Sequence, residues 1–529
     1  RILGVGIAGV KAEIASLMVH DPVIEIGGRA RGATADFLKF IESSPVGDYI
    51  DHFTEPMEAE GIGDLDLKLA IPLARVEATK TAGRYRFEGN RLKVDPDLPP
   101  LADVRGELRF TSEAMEARGI RAQLIGLPMT VDVKTLGDGQ VLVNAAGDMT
   151  IAALRRQWPL PGTEHLSGAT RWTGTVRVRK RSAEVRISSN LQGIASSLPE
   201  PFNKTTTEAV DFRFERKAAP EPARAVVPGR RQPAPAPAPL PSTQRDMIEI
   251  GYGRALAVQL VRRAEGEGKV VERGVVGIGD TNAALPDKGL LVLANVKRVD
   301  ADFWRRIVGD GNGGGVPLPP VSMDLKAGEF TAYGKTLHDL RLGGTQQGTH
   351  WRADVASREL AGKVEWVAEG SGRLVARLAR LALPESAKDQ PVQGEALNEL
   401  PGIDLAVDQF LLRGKNLGEV RLVAENREGT WNARLAIQND DGDLAGEGRW
   451  RPSTTAPDTR LDFTLNAKSI EKPLGRLGYE EAVRRGVANL SGQVSWAGAP
   501  FAIDYPSLSG QIKLEARNGQ FNKLEPGVG

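Results

Sequence analysis

The stretch Leu166-Ser167-Gly168-Ala169-Thr170-Arg171-Trp172, LSGATRW, returns three times: as LAGKVEW from Leu360 to Trp366, LAGEGRW from Leu444 to Trp450 and LSGQVSW from Leu490 to Trp496. Side chains in a strand alternate between faces, so the first, third, fifth and seventh residues of each copy share a side that reads Leu, Gly, Thr/Val/Gly, Trp. The opposite side reads Ser/Ala, then Ala/Lys/Glu/Gln, then Arg/Glu/Ser. One face is apolar and the other suits water. Half of the eight tryptophans fall in this signature, which makes a repeated, one-sided β architecture the reading from which the rest follows.

The same period-two alternation runs outward from the signature in both directions. It pairs Leu65, Leu67, Leu69 and Ile71; Val131 with Val133; Val141 with Val143; Val176 with Val178; and Val185 with Ile187. Further on it pairs Leu340 with Leu342, Leu405 with Val407, Val420 with Leu422, Leu435 with Ile437, Leu461 with Phe463 and Leu465, and Ile512 with Leu514. Turn signals such as Gly137-Asp138-Gly139 and Asp441-Gly442 predict antiparallel meanders rather than βαβ units. A longer duplication supports this: Asp324 to Leu342 matches Asp404 to Leu422 at an offset of 404 − 324 = 80, and the same offset relates Trp351 to Trp431. Phe330 then matches Phe410, Gly334 matches Gly414 and Leu337 matches Leu417, so the alternation stays in phase.

The expected fold is therefore mainly β: an elongated, repetitive antiparallel sheet curled into a hydrophobic groove, with a few short amphipathic helices. Four helices are expected. Phe37, Leu38, Phe40 and Ile41 follow Thr34; Ile151, Leu154 and Trp158 follow Thr150; Phe303, Trp304, Ile307 and Val308 follow Asp300; and Leu474, Leu477 and Val483 form the last. Each is expected to cover an edge or end of a sheet.

Ala218 to Gln244 (AAPEPARAVVPGRRQPAPAPAPLPSTQ) alternates Pro and Ala and cannot support a ladder. It is read as a linker between a first β-groove segment, residues 1–217, and a second, residues 245–529, that carries the internal repeat. Gly309 to Pro320 is a second, smaller breaker.

A length of 529 residues with a net charge of +1 offers no global field to hold nucleic acid, so no nucleic-acid partner is expected. With no cysteine, disulfides, thiolate metal sites and cysteine nucleophiles are excluded. The chain starts at Arg1 and has no run of apolar residues long enough for a membrane span, so it reads as a fragment whose anchor or address lies elsewhere.

The motifs that look chemical have structural readings. Gly4, Gly6 and Gly9 spell G-x-G-x-x-G with Glu25 downstream, but the sequence that follows reads as strand, not as the helix of a dinucleotide fold. Gly334-Lys335-Thr336 follows Gly328 with five intervening residues where a phosphate loop needs four, and its repeat copy is Gly414-Lys415-Asn416; both read as turns. His20, His52, His165, His338 and His350 have no ligand spacing, so no metal and no cofactor is expected. No carboxylate pair stands out for glycoside chemistry, and no catalytic residue is assigned. The run Arg177, Arg179, Lys180, Arg181 alternates with valines and reads as a wet face.

Several stretches carry a family resemblance: ARGATADFLKFIESSP (Ala30 to Pro45), FEGNRL (Phe87 to Leu92), LPPLADVRGELRF (Leu98 to Phe110), GIRAQLIGLP (Gly119 to Pro128), LQGIASSLPEPFNK (Leu191 to Lys204) and ANLSGQVSWAGAP near the end. The chain resembles the AsmA-like envelope proteins of the YhdP type, relatives of TamB-like bridge proteins. The proline-rich insertion departs from that pattern. The resemblance implies a periplasmic protein anchored in the inner membrane by a segment absent from this chain, whose β-groove carries phospholipid toward the outer membrane. Its partners would be phospholipid acyl chains and, through regions outside this fragment, both membranes; a monomer is expected.

The physics of such a groove agrees with the alternation. Exposing an acyl chain to water costs about 0.8 kcal/mol per methylene, on the order of 12 kcal/mol for a sixteen-carbon tail, and a continuous apolar trough lowers that barrier. The expected lipid-binding residues are the alternating aliphatics named above. Two rivals stay open: a structural or outer-membrane assembly scaffold whose apolar face is filled by its own side chains, and a β-rich carbohydrate enzyme. The alternation gives which residues share a face, but not which face points inward.

Overall fold

A computed structural model describes residues 6–16, 18, 21–43, 54–95, 97–179, 182–219, 245–266, 268–279, 283–308, 319–332, 335–369, 372–383, 401–412, 414–427, 429–451, 458–469, 471, 483–498, 500 and 504–521. The chain is mainly β. In order come β1 (Gly6–Ile14), β2 (Val23–Ala33), α1 (Thr34–Glu42), β3 (Glu58–Glu60), β4 (Ile62–Pro72), β5 (Lys80–Lys93), β6 (Leu101–Thr111), β7 (Met115–Leu124), β8 (Leu127–Thr135) and β9 (Val141–Thr150). Then follow α2 (Ile151–Gln157), β10 (Leu166–Arg179), β11 (Ser182–Ser189), β12 (Ile194–Ser196), β13 (Phe212–Ala218), β14 (Arg245–Tyr252), β15 (Leu256–Glu265) and β16 (Gly268–Gly279). The remainder is β17 (Gly289–Asp300), α3 (Ala301–Val308), β18 (Val321–Ala332), β19 (Lys335–Gln347), β20 (His350–Ala356), β21 (Leu360–Val367) and β22 (Arg373–Leu383). It closes with β23 (Gly402–Leu412), β24 (Lys415–Arg427), β25 (Thr430–Asn439), β26 (Gly442–Arg451), β27 (Asp458–Ala467), β28 (Val483–Ala497) and β29 (Ser509–Phe521). All four copies of the tryptophan signature lie in strands: β10, β21, β26 and β28.

The chain divides into two compact units, residues 1–288 with 307–319, and residues 289–306 with 320–529. In the first, strands pair antiparallel in the order β1, β2, β4, β5, β6, β7, β8, β9, β10, β11, β13, β14, β15, β16. Short β3 and β12 join at β5 and β10. In the second, β17 to β29 pair each with the next.

Two pairings depart from the antiparallel expectation: β17 with β18 and β22 with β23 run parallel. Alternation is blind to strand direction, and the connections over 301–320 and 384–401 are long enough to carry the chain back to the same end. The 80-residue duplication now has a structural meaning. Each copy is a five-strand module, β17 to β21 and β22 to β26, that opens on a parallel step and continues as hairpins.

Ala218 closes β13 and Ala219 is described, while 220–244, most of the proline-rich stretch, lies outside the described residues. The strands on either side of it pair directly, from Phe212 with Tyr252 to Ala218 with Asp246. The sheet of the first unit thus continues through the insertion, and the division into units falls at Lys288/Gly289. Most of the breaker at 309–320 also lies outside, as do Leu474 and Leu477 of the fourth expected helix. Val483, assigned to that helix, instead begins β28 and pairs with Phe521; six positions past Leu477 it keeps the parity of a strand and falls about 120° away around a helix.

Two of the three described α-helices start where their caps predict; α1 instead includes Thr34, the expected cap, as its first residue, with Ala33 at the N-cap and no side-chain capping bond. Ala153 donates its backbone N–H to Thr150 Oγ1 at 3.2 Å, and Phe303 does so to Asp300 Oδ1 at 2.8 Å. Helix α1 does more than cover an edge. It seats Phe37 edge-on against Tyr85 at 5.3 Å between ring centroids, in a cluster with Ala30, Leu65, Phe87, Leu108 and Phe110. Tyr85 lies over Gly63 of the neighbouring strand, where an added Cβ would stand 2.2 Å from the phenol oxygen; only glycine admits the ring.

Beneath the helix, Asn90 is fully buried. Its Nδ2 donates to Thr34 Oγ1 at 2.6 Å and to Ile62 O at 3.1 Å, while its Oδ1 accepts from the Glu88 N–H at 2.8 Å. Thr34 Oγ1 in turn meets the Tyr85 hydroxyl at 2.8 Å. The FEGNRL stretch is therefore a joint between helix and sheet. Asn90→Ala strips several buried groups of their partners and is expected to destabilise the first unit by roughly 2–3 kcal/mol, read as a lowered urea midpoint.

Candidate functional site

Pairing register turns the alternating aliphatics into rows that cross each sheet. In the second unit one row begins Ala294, Leu325, Leu342, Val355, Gly362. It continues through Leu378, Val407, Val420, Ile437 and Leu444, and ends Leu465, Leu490, Leu514. Every member is apolar or glycine, from β17 to β29. Twelve steps at about 4.8 Å make roughly 60 Å of sheet.

The next row on the same face reads Val292, Met323, Gly344, Ala353, Val364, Ala376 and Leu405. Leu422, Leu435, Gly446, Phe463, Gly492 and Ile512 complete it. A third carries Trp351 paired with Trp366, then Leu374, Ile403, Ala424 and Ala433, and later Leu461 and Val494. Leu340, beside Ala327, is buried on the same side. The opposite face is charged: Arg434, Glu447, Asp462 and Gln493 stand in line.

The signature glycines and tryptophans serve these rows. At Gly362 the register slips against β22; with φ +152° and Arg377 O only 2.3 Å from where a Cβ would be, the bulge needs glycine. Trp431 pairs with Trp450 one row further along, both buried, and Trp431 Nε1 donates to Pro401 O at 3.2 Å.

In the first unit a row runs Ile7, Ala30, Leu65, Tyr85, Leu108, Ala117 and Val133. It continues through Val143, Val176, Val185, Arg216, Ile248, Leu260 and Gly274. A parallel row holds Val131, Ala145, Gly174, Ile187, Phe214, Ile250, Val258 and Val276. Leu67 lies between Gly28 and Gly83, Leu69 beside Ile26, Ile71 beside Ile24 and Val178 beside Val141. All the sequence-named aliphatics thus fall on one face of their sheets.

Their surroundings differ. Val104, Ile120, Ala122, Met129 and Val131 form a sealed cluster over β6 to β8, and Phe37 covers Leu65. In the second unit Leu422, Leu435, Phe463 and Leu465 are half-buried, while Ile512 and Leu514 at the β29 end are 61% and 65% exposed.

One member of the first row is charged, and no motif pointed to it. Arg216 is buried on the apolar face and meets two carboxylates, Asp95 and Asp97, from the connection between β5 and β6. Six strand spacings, roughly 30 Å of flat sheet, separate β6 from β13. Residues 94–100 are too few to reach that far and return, so the first sheet curls and brings its apolar face across from itself. Asp97 Oδ2 also lies 3.4 Å from Arg262 Nη2 and 3.1 Å from Lys269 Nζ. Asp246 accepts from Arg262 Nε at 2.9 Å and from Lys269 Nζ at 2.8 Å.

Burial alone would raise the Asp97 carboxyl, but the Lys269 hydrogen bond and the Lys269, Arg216 and Arg262 charges hold it below the usual carboxylate range. Asp246 is held down in the same way, against burial, by Arg262 and Lys269. A signal for this cluster existed in the sequence: in Phe212-Arg-Phe-Glu-Arg-Lys-Ala218, Arg216 falls on the apolar beat set by Phe212 and Phe214.

The chemical motifs stay apart from one another. Gly6 and Gly9 lie in β1, which pairs antiparallel with Glu25's strand β2, so no βαβ unit forms there; Gly4 lies outside the described residues, as do His20 and His52. Lys335 and Lys415 open the second strands of tight hairpins, pairing with Ala332 and Leu412, with Gly334 itself outside the described residues. His338 Nδ1 meets Glu359 at 2.7 Å. Among the described residues no group of His, Cys, Asp and Glu could hold a metal ion. Arg177 is exposed; Lys180 and Arg181 lie outside the description.

These features define a class: a repetitive β protein with one apolar and one charged face per sheet, and with a charged break in the first unit's apolar face held by ion pairs. The chain belongs to the YhdP protein family, whose family model matches residues 1–529. That is the YhdP-type branch of the AsmA-like envelope proteins, a family not known for enzymatic activity. Comparison with curated proteins and with solved structures gave no match. No helix among the described residues is long and apolar enough to cross a membrane.

Proposed function

We propose that the chain conducts phospholipid between the inner and outer membranes, with acyl chains lying along the apolar rows and headgroups toward water. The observation that carries this reading is the unbroken apolar register from Ala294 to Leu514, buried at Leu378, Val407 and Val420, half-buried at its other members and exposed at Leu514. A row of interchangeable aliphatics binds tails without selecting among them, and weak binding at each step lets cargo move on. Family membership supports the same reading, together with a periplasmic location and an inner-membrane anchor supplied by another segment. The work proposed is transfer, with no bond made or broken.

Protein purified from membranes in mild detergent is expected to carry phospholipid, detected by native mass spectrometry as adducts that survive gel filtration. Repeated absence of lipid under conditions that preserve the fold would favour the second reading, a filled scaffold. The sealed cluster around Val104 and Ile120, the Phe37 cover and the buried cluster of Ala376, Leu378, Val407 and Val420 are observations on that side.

A further inference from the structure

The charged cluster on the apolar face of the first unit has more cations than the sheet itself can neutralise. Arg216, Arg262 and Lys269 come from β13, β15 and β16, and among the described residues the sheet supplies only Asp246 against them. The other two carboxylates, Asp95 and Asp97, belong to the connection between β5 and β6 and can leave without unpairing a strand. All three cations converge on a single atom, Asp97 Oδ2, at 2.9, 3.4 and 3.1 Å. An oxygen coordinated in this way is geometrically a stand-in for one oxygen of a phosphate.

We propose that Arg216, Arg262 and Lys269 form a subsite for the phosphodiester of a lipid headgroup, and that Asp95 and Asp97 occupy it when no lipid is bound. The inference rests on the lipid reading above and adds to it a place where the headgroup, not only the tail, is recognised. Its logic is exchange. Withdrawing both loop carboxylates leaves three cations against Asp246 alone, a buried surplus of positive charge that is costly unless another anion takes their place. A phosphodiester brings one negative charge with several acceptor oxygens, and its tails continue onto Ile248, Leu260 and Val185, the row neighbours of Arg216. The closed form is neutral, so the site does not hold the headgroup against a large field and release stays possible.

The chain has no cysteine, so Pro99→Cys with Ala264→Cys places two spin labels, one on the connection and one beside the cluster. Their separation is measured by electron paramagnetic resonance in the full chain, with bound lipid quantified in the same sample. The probes are phosphatidylglycerol vesicles, detergent-dispersed diacylglycerol with the same tails, and inorganic phosphate. Phosphatidylglycerol should lengthen the separation, and diacylglycerol should bind without lengthening it. Arg262→Gln or Lys269→Gln should lower retained phosphatidylglycerol about ten-fold while leaving diacylglycerol unchanged, and Asp97→Asn should raise phosphatidylglycerol retention.

If both lipids bind with one unchanged separation and neither cation variant discriminates between them, the subsite is refuted while the lipid reading stands. If neither lipid binds, the lipid reading itself fails. If inorganic phosphate lengthens the separation as phosphatidylglycerol does, the site is one for free phosphate and the lipid assignment is overturned.

Discussion

Leu422→Asp is expected to abolish lipid retention by the second unit while leaving the protein folded. Leu422 sits in the middle of an apolar row, between Leu405 and Leu435, and it is half-buried. The described neighbours of a carboxylate there, Leu405, Leu435, Val420 and Ala424, carry no cation; the nearest guanidinium in sequence, Arg421, lies on the other side of the strand. Seating an acyl chain against it would desolvate the charge, at a cost of several kcal/mol, and each 1.4 kcal/mol is about a factor of ten in occupancy. Without lipid the same carboxylate stays partly hydrated, so the fold tolerates it better than the cargo does. The control is one residue away. Arg421→Asp changes charge more but on the wet face, and should leave retention within about two-fold, since exposed charges contribute little. Leu67→Asp in the first unit, flanked by Gly28 and Gly83, should act as Leu422→Asp does. Normal lipid retention by both apolar-face variants would count heavily against the account.

Trp450→Ala is expected to be the most damaging single truncation for stability. The indole is 2% exposed, paired across the ladder with Trp431 and packed with Ala424, Ile403 and Ala433. Emptying such a site costs about 3–5 kcal/mol, read as a lower urea midpoint at unchanged slope. Trp450 Nε1 has no hydrogen-bond partner among the described residues, so Trp450→Phe removes a buried unpaired donor along with some volume and should cost clearly less. Trp158→Ala, at a side chain 39% exposed, should stay within about 0.5 kcal/mol of the parent. Equal losses for Trp450→Phe and Trp450→Ala would show that the N–H is paired and the assignment of this pocket mistaken.

What the sequence made legible follows from what alternation encodes. A period of two specifies which side chains share a face, and the ladders honour it at Leu435, Leu461 and Val185 alike. The LSG/LAG…W signature marked strands correctly in all four copies because a glycine and a tryptophan on one face fix both a close approach and a large buried ring. Strand direction was not legible. The parallel steps at β17/β18 and β22/β23 depend on where a connection returns, which no side chain in the strand records.

The boundary between units was hidden for a related reason. Proline and alanine over 218–244 announce a break in the local chain, but β13 and β14 pair across it, and pairing decides what is continuous. Contacts at long separation were the least legible of all. Nothing near Asp95 and Asp97 announces Arg216, and only the curl of the first sheet brings them together; the single local hint was a charge on an apolar beat. Phe37 was read as helix but not as a cover for Leu65, because a helical stripe shows that a face is buried and not against what.

The most direct test places a photo-crosslinking amino acid at each of positions 433 to 437 in turn and exposes the protein to radiolabelled phospholipid. Adducts are expected at 433, 435 and 437, where Ala433, Leu435 and Ile437 face the apolar side, and none at 434 and 436, where Arg434 and Ala436 face water. Adducts at all five positions alike, or at none, would contradict the lipid reading.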